Sequence, residues 1–309
     1  MVQLGRSGNI PFRTNAASGG RVTVTTTRRS NVAAGVRTTL LLGTLTGLFV
    51  VIGFAIGGAG TALLFLFLGG AMNFGAFWFS DKIALKMSGA QPLEESQAPR
   101  IYAMVRDLCE GAQMPTPALY LIPQAQPNAF ATGRSPSRAA VAVTAGITKL
   151  LSEDELRGVI AHELAHIQNR DTLIQSVAAT IGGAITYLAY MLIWFGGNND
   201  SPIGLIGSLA MVLLAPMAAT LIQMSISRQR EFSADATGAD ICGRPESLAT
   251  ALLRLEEGVK DTPMEVNQAT ECLYIVKPLS GKGLAGLFST HPPIEERVRR
   301  LRQMRTSLG

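Results

Sequence analysis

Cysteine, histidine and charge are all scarce in this chain: of 309 residues, three are cysteines, three are histidines and 16% are charged. Cys109, Cys242 and Cys272 form no C-x-x-C pair, and their odd number excludes a self-contained disulfide framework. A cysteine zinc site is excluded on the same ground, and a reducing compartment is implied. Low charge and a mean hydropathy of +0.26 set the chain apart from ordinary soluble domains. Net charge is +5, but aromatics are only 6% and no recognised binding motif occurs, so a nucleic-acid partner is not expected.

The missing charge is concentrated in long stretches. None occurs between Arg37 and Asp81, from Thr172 to Asn199, or from Ser201 up to Arg228. One membrane-spanning helix needs about 20 apolar residues, so the first interval predicts two spans, at 37–56 and 61–80, turning at Gly57, Gly58 and Gly60. The later stretches predict a second hairpin, with Pro216 kinking its second helix. Arg28, Arg29, Arg37, Lys82, Lys86, Arg170, Arg228 and Arg230 flank the predicted spans, whereas the two short opposite loops carry no Lys or Arg. The positive side is the cytoplasmic one, so both termini and the segment 81–171 are expected there. The expected organisation is a basic, disordered tail at 1–35, a hairpin at 36–80, a catalytic part at 81–171, a second hairpin at 172–227 and a second catalytic part at 228–309. The basic run is too long, and the apolar run after it far too long, for a cleavable signal.

Chemistry concentrates after Ser152. Ser152 and Glu155 form a capping box, and Leu156, Val159, Ile160 and Leu164 continue at helical spacing. His162 and His166 therefore stand one turn apart on one face, with Glu163 beside them. This is H-E-x-x-H, two zinc-ligating imidazoles and a general base. A third protein ligand is required, and Glu231 follows the last uncharged stretch. Asp235, one turn later, would accept a hydrogen bond from the free ring nitrogen of His162 or His166. Helices are also expected near 97–111, 228–241, 245–258 and 292–305, and strands at 118–122 and 139–144.

His-Glu-Leu-Ala-His-Ile-Gln-Asn-Arg-Asp at 162–171 resembles the core motif of HtpX-type membrane proteases, relatives of the CAAX prenyl endopeptidases. So do Pro-Asn-Ala-Phe-Ala-Thr-Gly at 127–133, Ser-Arg-Gln-Arg-Glu-Phe-Ser-Ala-Asp at 227–235 and Phe-Ser-Thr-His-Pro-Pro-Ile-Glu-Glu-Arg at 288–297. The resemblance covers most of 37–303; the long segment before Arg37 departs from it. It implies a mainly α integral membrane protein with four transmembrane helices and a gluzincin-like cytoplasmic domain containing a small β-sheet. It implies one zinc ion per chain, held by His162, His166 and Glu231, with Glu163 and His291 catalytic and Asp235 and Arg297 behind them. In related enzymes the edge strand beside the metal pairs with extended substrate, which implicates Asn128, Ala129 and Phe130 together with Ala140, Val141, Ala142 and Val143.

The implied function is zinc-dependent cleavage of membrane or unfolded proteins at the cytoplasmic face of a bacterial inner membrane, in protein quality control. Three rivals share some of these features. A CAAX-type prenyl endopeptidase would use the same chemistry in a longer chain with more spans. A non-catalytic membrane chaperone would keep the metal without needing Glu163. A soluble metalloenzyme would bury the apolar helices in its core.

Overall fold

The computed structural model of the chain describes residues 26–182, 228–262, 270–276 and 292–308. Helix α1 (Thr26–Met87) is broken at Gly57 and Gly58. Gly58 has φ 71° and ψ −157°, a conformation that costs a side-chain-bearing residue far more than glycine. The limbs fold back on each other: Asn73 Nδ2 donates to the Leu42 carbonyl at 2.9 Å and to Thr46 Oγ1 at 2.6 Å. The predicted turn thus falls at these glycines, and helix already begins at Thr26, inside the segment read as a disordered tail. Among the described residues, Gly57–Met87 is the one helix long and apolar enough to cross a membrane. Every large hydrophobic side chain found exposed there lies on α1, including Val51, Phe54, Leu63, Leu64, Phe67 and Phe74.

After α1 come β1 (Gln91–Pro92), α2 (Pro99–Gly111), β2 (Ala118–Ile122), β3 (Ala129–Gly133), β4 (Ala139–Thr144) and α3 (Ala145–Leu150). Then follow α4 (Glu153–Gln168) and α5, described over 171–182. The chain is described again in α6 (Arg228–Cys242), α7 (Pro245–Asp261) and α8 (Ile294–Leu308). The remainder of the predicted second hairpin, and His291, lie outside the described residues.

The sheet has the order β1-β2-β4-β3, with β4 parallel to β2 and antiparallel to β3. Ala129, Ala131, Val141 and Val143 face a core shared with Val159, Ile160 and Leu164 of α4. Phe130, Ala140 and Ala142 face the other way, onto Ala84 and Leu85 at the foot of α1, Ala179 of α5 and Tyr274. The small-large alternation that marks 139–144 as a strand does not translate into one exposed face: all six residues are buried, because the strand is covered on both sides. The Ser152 capping box is formed: the Ser152 N–H donates to Glu155 Oε2 at 2.8 Å, and the Glu155 N–H donates back to Ser152 Oγ. The helix it starts runs through the middle of the domain, which fixes the histidines at the centre of the packing.

Candidate metal centre

α4 carries both histidines, and α6 crosses it closely enough to bring Glu231 beside them. Glu231, Asp235 and Gly238 recur at helical spacing on the face of α6 turned to α4. Gly238 permits the approach: a Cβ there would stand 2.8 Å from His162 Cα and 2.9 Å from its backbone nitrogen. Glu231 Oε1 lies 3.5 Å from His166 Nε2, and Oε2 lies 3.8 Å from His162 Nε2. One donor atom from each of the three residues lies within 4.8 Å of the others, and all three residues are buried. Two ligands on a tetrahedral zinc ion with bonds near 2.0–2.1 Å are about 3.3 Å apart, so the set closes on such an ion with small adjustment.

The second nitrogen of each ring faces a carboxylate. His162 Nδ1 is 3.0 Å from Asp235 Oδ1, whereas His166 Nδ1 is 3.2 Å from Asp171 Oδ2. Of the two histidines open to Asp235 in sequence, His162 is the partner. Asp171 takes the other, a role the sequence reading did not assign. A continued helix would turn residue 171 away from residue 166, but Arg170 adopts φ 60° and swings Asp171 back. No glycine or asparagine at position 170 announces the left-handed turn, so local sequence gives no signal for it.

Arg297 of α8 is fully buried. Its Nε and Nη2 donate to Asp235 Oδ2 and Oδ1 at 2.9 and 2.7 Å, and its Nη1 donates to the Ile275 carbonyl at 3.2 Å. Burial would raise the Asp235 pKa, but Arg297 overrides it and holds the group at about 2. Arg297 thus fastens α6 to α8 behind His162.

Four buried carboxylates (Glu163, Asp171, Glu231 and Asp235) face two buried guanidiniums, Arg230 and Arg297. With neutral imidazoles, two negative charges remain, the charge that a divalent cation supplies. Protons respond to the same imbalance. Burial lowers the His166 pKa, but Glu231, Asp171 and Glu163 outweigh it and lift the ring to about 9. Burial, with Glu231 adding to it, raises Glu163 to about 7, although His166 and a hydrogen bond from the Ala131 backbone pull it down. His162 falls to about 4 through burial, despite Asp235. The donor types, their convergence and the charge deficit all fit a zinc ion.

The predicted groove residues divide. β4 is hydrogen-bonded on both edges, so Ala140, Val141, Ala142 and Val143 cannot pair with a substrate strand; that expectation is corrected. Asn128 is fully buried and its amide is committed to segment 275–276: Nδ2 donates to the Val276 carbonyl at 2.7 Å, and Oδ1 accepts from the Val276 N–H. β3 is the outer strand, and its far edge is partly occupied: the Ile275 N–H donates to the Ala129 carbonyl and Thr172 Oγ1 to the Gly133 carbonyl. Phe130 points into the core and stacks edge-on against Tyr274. Between these ends, Ala131 faces Glu163.

The profile of peptidase family M48 matches residues 95–305, which include all of the metal-site residues. The protease HtpX homologue of Persephonella marina is 55% identical over 283 residues, covering 89% of this chain and 98% of that one. The homologue of Syntrophobacter fumaroxidans is 52% identical over 277 residues, covering 87% and 98%. Among solved structures, S. mikatae Ste24p aligns at a TM-score of 0.47 and 19% identity, over 89% of this chain and 67% of that one. With the H-E-x-x-H helix inside the matched region, the chain belongs to peptidase family M48 and is an HtpX-type metalloprotease.

Proposed function

We propose that the chain is a membrane-embedded endopeptidase, loaded with one zinc ion, that cleaves membrane or unfolded proteins at the cytoplasmic face of a bacterial inner membrane. The observation that carries the chemistry is the buried convergence of His162, His166 and Glu231 beside Glu163. Bound zinc supplies a Lewis acid that polarises the scissile carbonyl and acidifies the attacking water. Glu163 takes the water proton on a carboxylate oxygen and passes it to the leaving amine. In the metal-free protein burial raises its pKa to about 7. Ala131 orients that carboxylate through its backbone hydrogen bond, and β3 guides the substrate past it. His291, just ahead of α8, donates to the oxyanion, while Asp235 and Arg297 hold His162 in place.

Membrane embedding is supported by the exposed apolar face of α1, which would be an aggregation hazard in water. The hairpins are assigned to 36–80 and 172–227, with both termini and the catalytic parts, 81–171 and 228–309, on the cytoplasmic side. Quality control of membrane proteins is the role proposed. Glu163→Gln in the purified, zinc-loaded protein tests the reaction: zinc content should stay near that of wild type while cleavage of a membrane protein substrate disappears. Cleavage at the wild-type rate would overturn the assignment.

A further inference from the structure

At the foot of α1 one helix face changes from apolar to cationic within two turns: Phe74, Trp78 and Lys82 are spaced four apart. Phe74 meets Trp78 edge-on, with ring centroids 5.9 Å apart. The turn between β3 and β4 reaches the same face, where the Arg134 guanidinium lies 3.8 Å over the Trp78 ring. The stacked pair leaves Trp78 42% exposed, and the neighbouring Phe79 is 48% exposed. Lys82, Lys86 and, at the end of the same turn, Arg138 are exposed as well.

Among the described residues, none of Lys82, Lys86, Arg134 and Arg138 meets a carboxylate. Four other surface arginines, Arg106, Arg244, Arg254 and Arg302, each hold a carboxylate oxygen at 2.9–3.0 Å, whereas the exposed Arg100, Arg170 and Arg228 are scattered singly and lie beside no exposed aromatic pair. Arg134 is held by α1 itself, stacking on Trp78 and donating to its carbonyl at 3.5 Å, so its charge and those of Lys82 and Arg138 are open to an anion from outside the chain. Two turns further back along α1 from Phe74 stand the exposed side chains of Phe67, Leu64 and Leu63, which favours a bilayer as the source of that anion. Trp and Tyr gather at the level of lipid headgroups, and lysine and arginine gather just outside.

We propose that Trp78, Lys82, Arg134 and Arg138 form a binding site for the headgroup of an anionic phospholipid, which seats the β3–β4 turn on the membrane surface. The proposal rests on the membrane reading of α1. Its consequence is positional: β3 runs from this turn to Ala131, so the strand beside Glu163 is held at the depth where a chain leaving the bilayer first becomes extended.

The chain holds two tryptophans, so Trp194→Phe leaves Trp78 as the only indole. That full-length protein is placed in nanodiscs of phosphatidylcholine mixed with phosphatidylglycerol, with one or the other lipid brominated near the top of its acyl chains. Trp78 emission should be quenched more by the brominated phosphatidylglycerol. The enrichment should be about fivefold, the attraction of one cation to an anionic surface. Adding Arg134→Gln and Lys82→Gln should abolish the difference while both lipids still quench. Equal quenching by the two lipids in the Arg134- and Lys82-containing protein overturns the headgroup site and leaves the membrane reading standing. Absence of quenching by either, with the protein stripped from membranes by alkaline carbonate, overturns the membrane reading itself.

Discussion

Asp171 Oδ2 lies 3.2 Å from His166 Nδ1, five positions on in the chain, because Arg170 between them takes a left-handed turn. Each imidazole of the candidate site therefore faces its own carboxylate, Asp235 for His162 and Asp171 for His166. A carboxylate on the second ring nitrogen fixes the tautomer and makes the first nitrogen a better ligand.

Asp171→Asn should lower zinc affinity by about 10–100-fold, the usual effect of losing such a partner. Competition with a chelator reads this directly; affinity within twofold of wild type would remove Asp171 from the site. Arg170→Gly serves as the companion variant. Glycine accepts φ 60° without strain, so zinc affinity should be retained.

Gly238→Ala should damage the centre without touching a ligand. Its Cβ would press on the His162 backbone, and relief requires α6 to move away from α4, carrying Glu231 and Asp235 with it. Overpacking of this kind costs about 1–3 kcal/mol. Chemical denaturation in detergent and zinc titration should both register the change. Gly111→Ala is the control, since a Cβ at the end of α2 meets nothing within 4 Å.

Arg297→Met should leave Asp235 buried without its counter-charge, at a cost of about 3–5 kcal/mol. Replacing Asp235 by Asn as well should recover part of that stability but not the zinc affinity, because His162 then lacks its carboxylate. A double variant no more stable than Arg297→Met would show that the two side chains act independently.

Zinc binding should strengthen as pH rises from about 7 to about 9. In the metal-free protein His166 is raised from the ordinary imidazole value to about 9, so it holds a proton at neutral pH that the ion must displace. The sign for folding is opposite. A raised histidine pKa stabilises the metal-free fold below about 6.5, and that contribution is lost as pH climbs through about 9. Calorimetric zinc titrations in two buffers of different ionisation heat should show proton release at pH 7; identical heats, corrected for dilution, would contradict it.

Much of the catalytic helix is readable residue by residue. Its start is written in Ser152 and Glu155, its buried face in Leu156, Val159, Ile160 and Leu164, and the histidine pair in a four-residue spacing. The hairpin glycines of α1 and the runs that became β2 and β4 are legible in the same way, because each depends on neighbours within a few residues. β3 is not legible as a strand, since Ala-Phe-Ala-Thr-Gly carries no polar-apolar alternation. Its place at the outer edge follows only from β4 inserting beside β2.

Ligand identity was set by short-range chemistry: two imidazoles on one helical turn and a carboxylate at the head of a later helix. Their mutual arrangement was not, because it depends on α6 crossing α4 at Gly238 and on Arg297 arriving from the far end of the chain. Which aspartate serves which histidine, and which strand edge lies beside Glu163, emerge from packing between distant segments. Helical spacing acts over one turn and is visible in any window of sequence; a close approach between two helices exists only once both have docked.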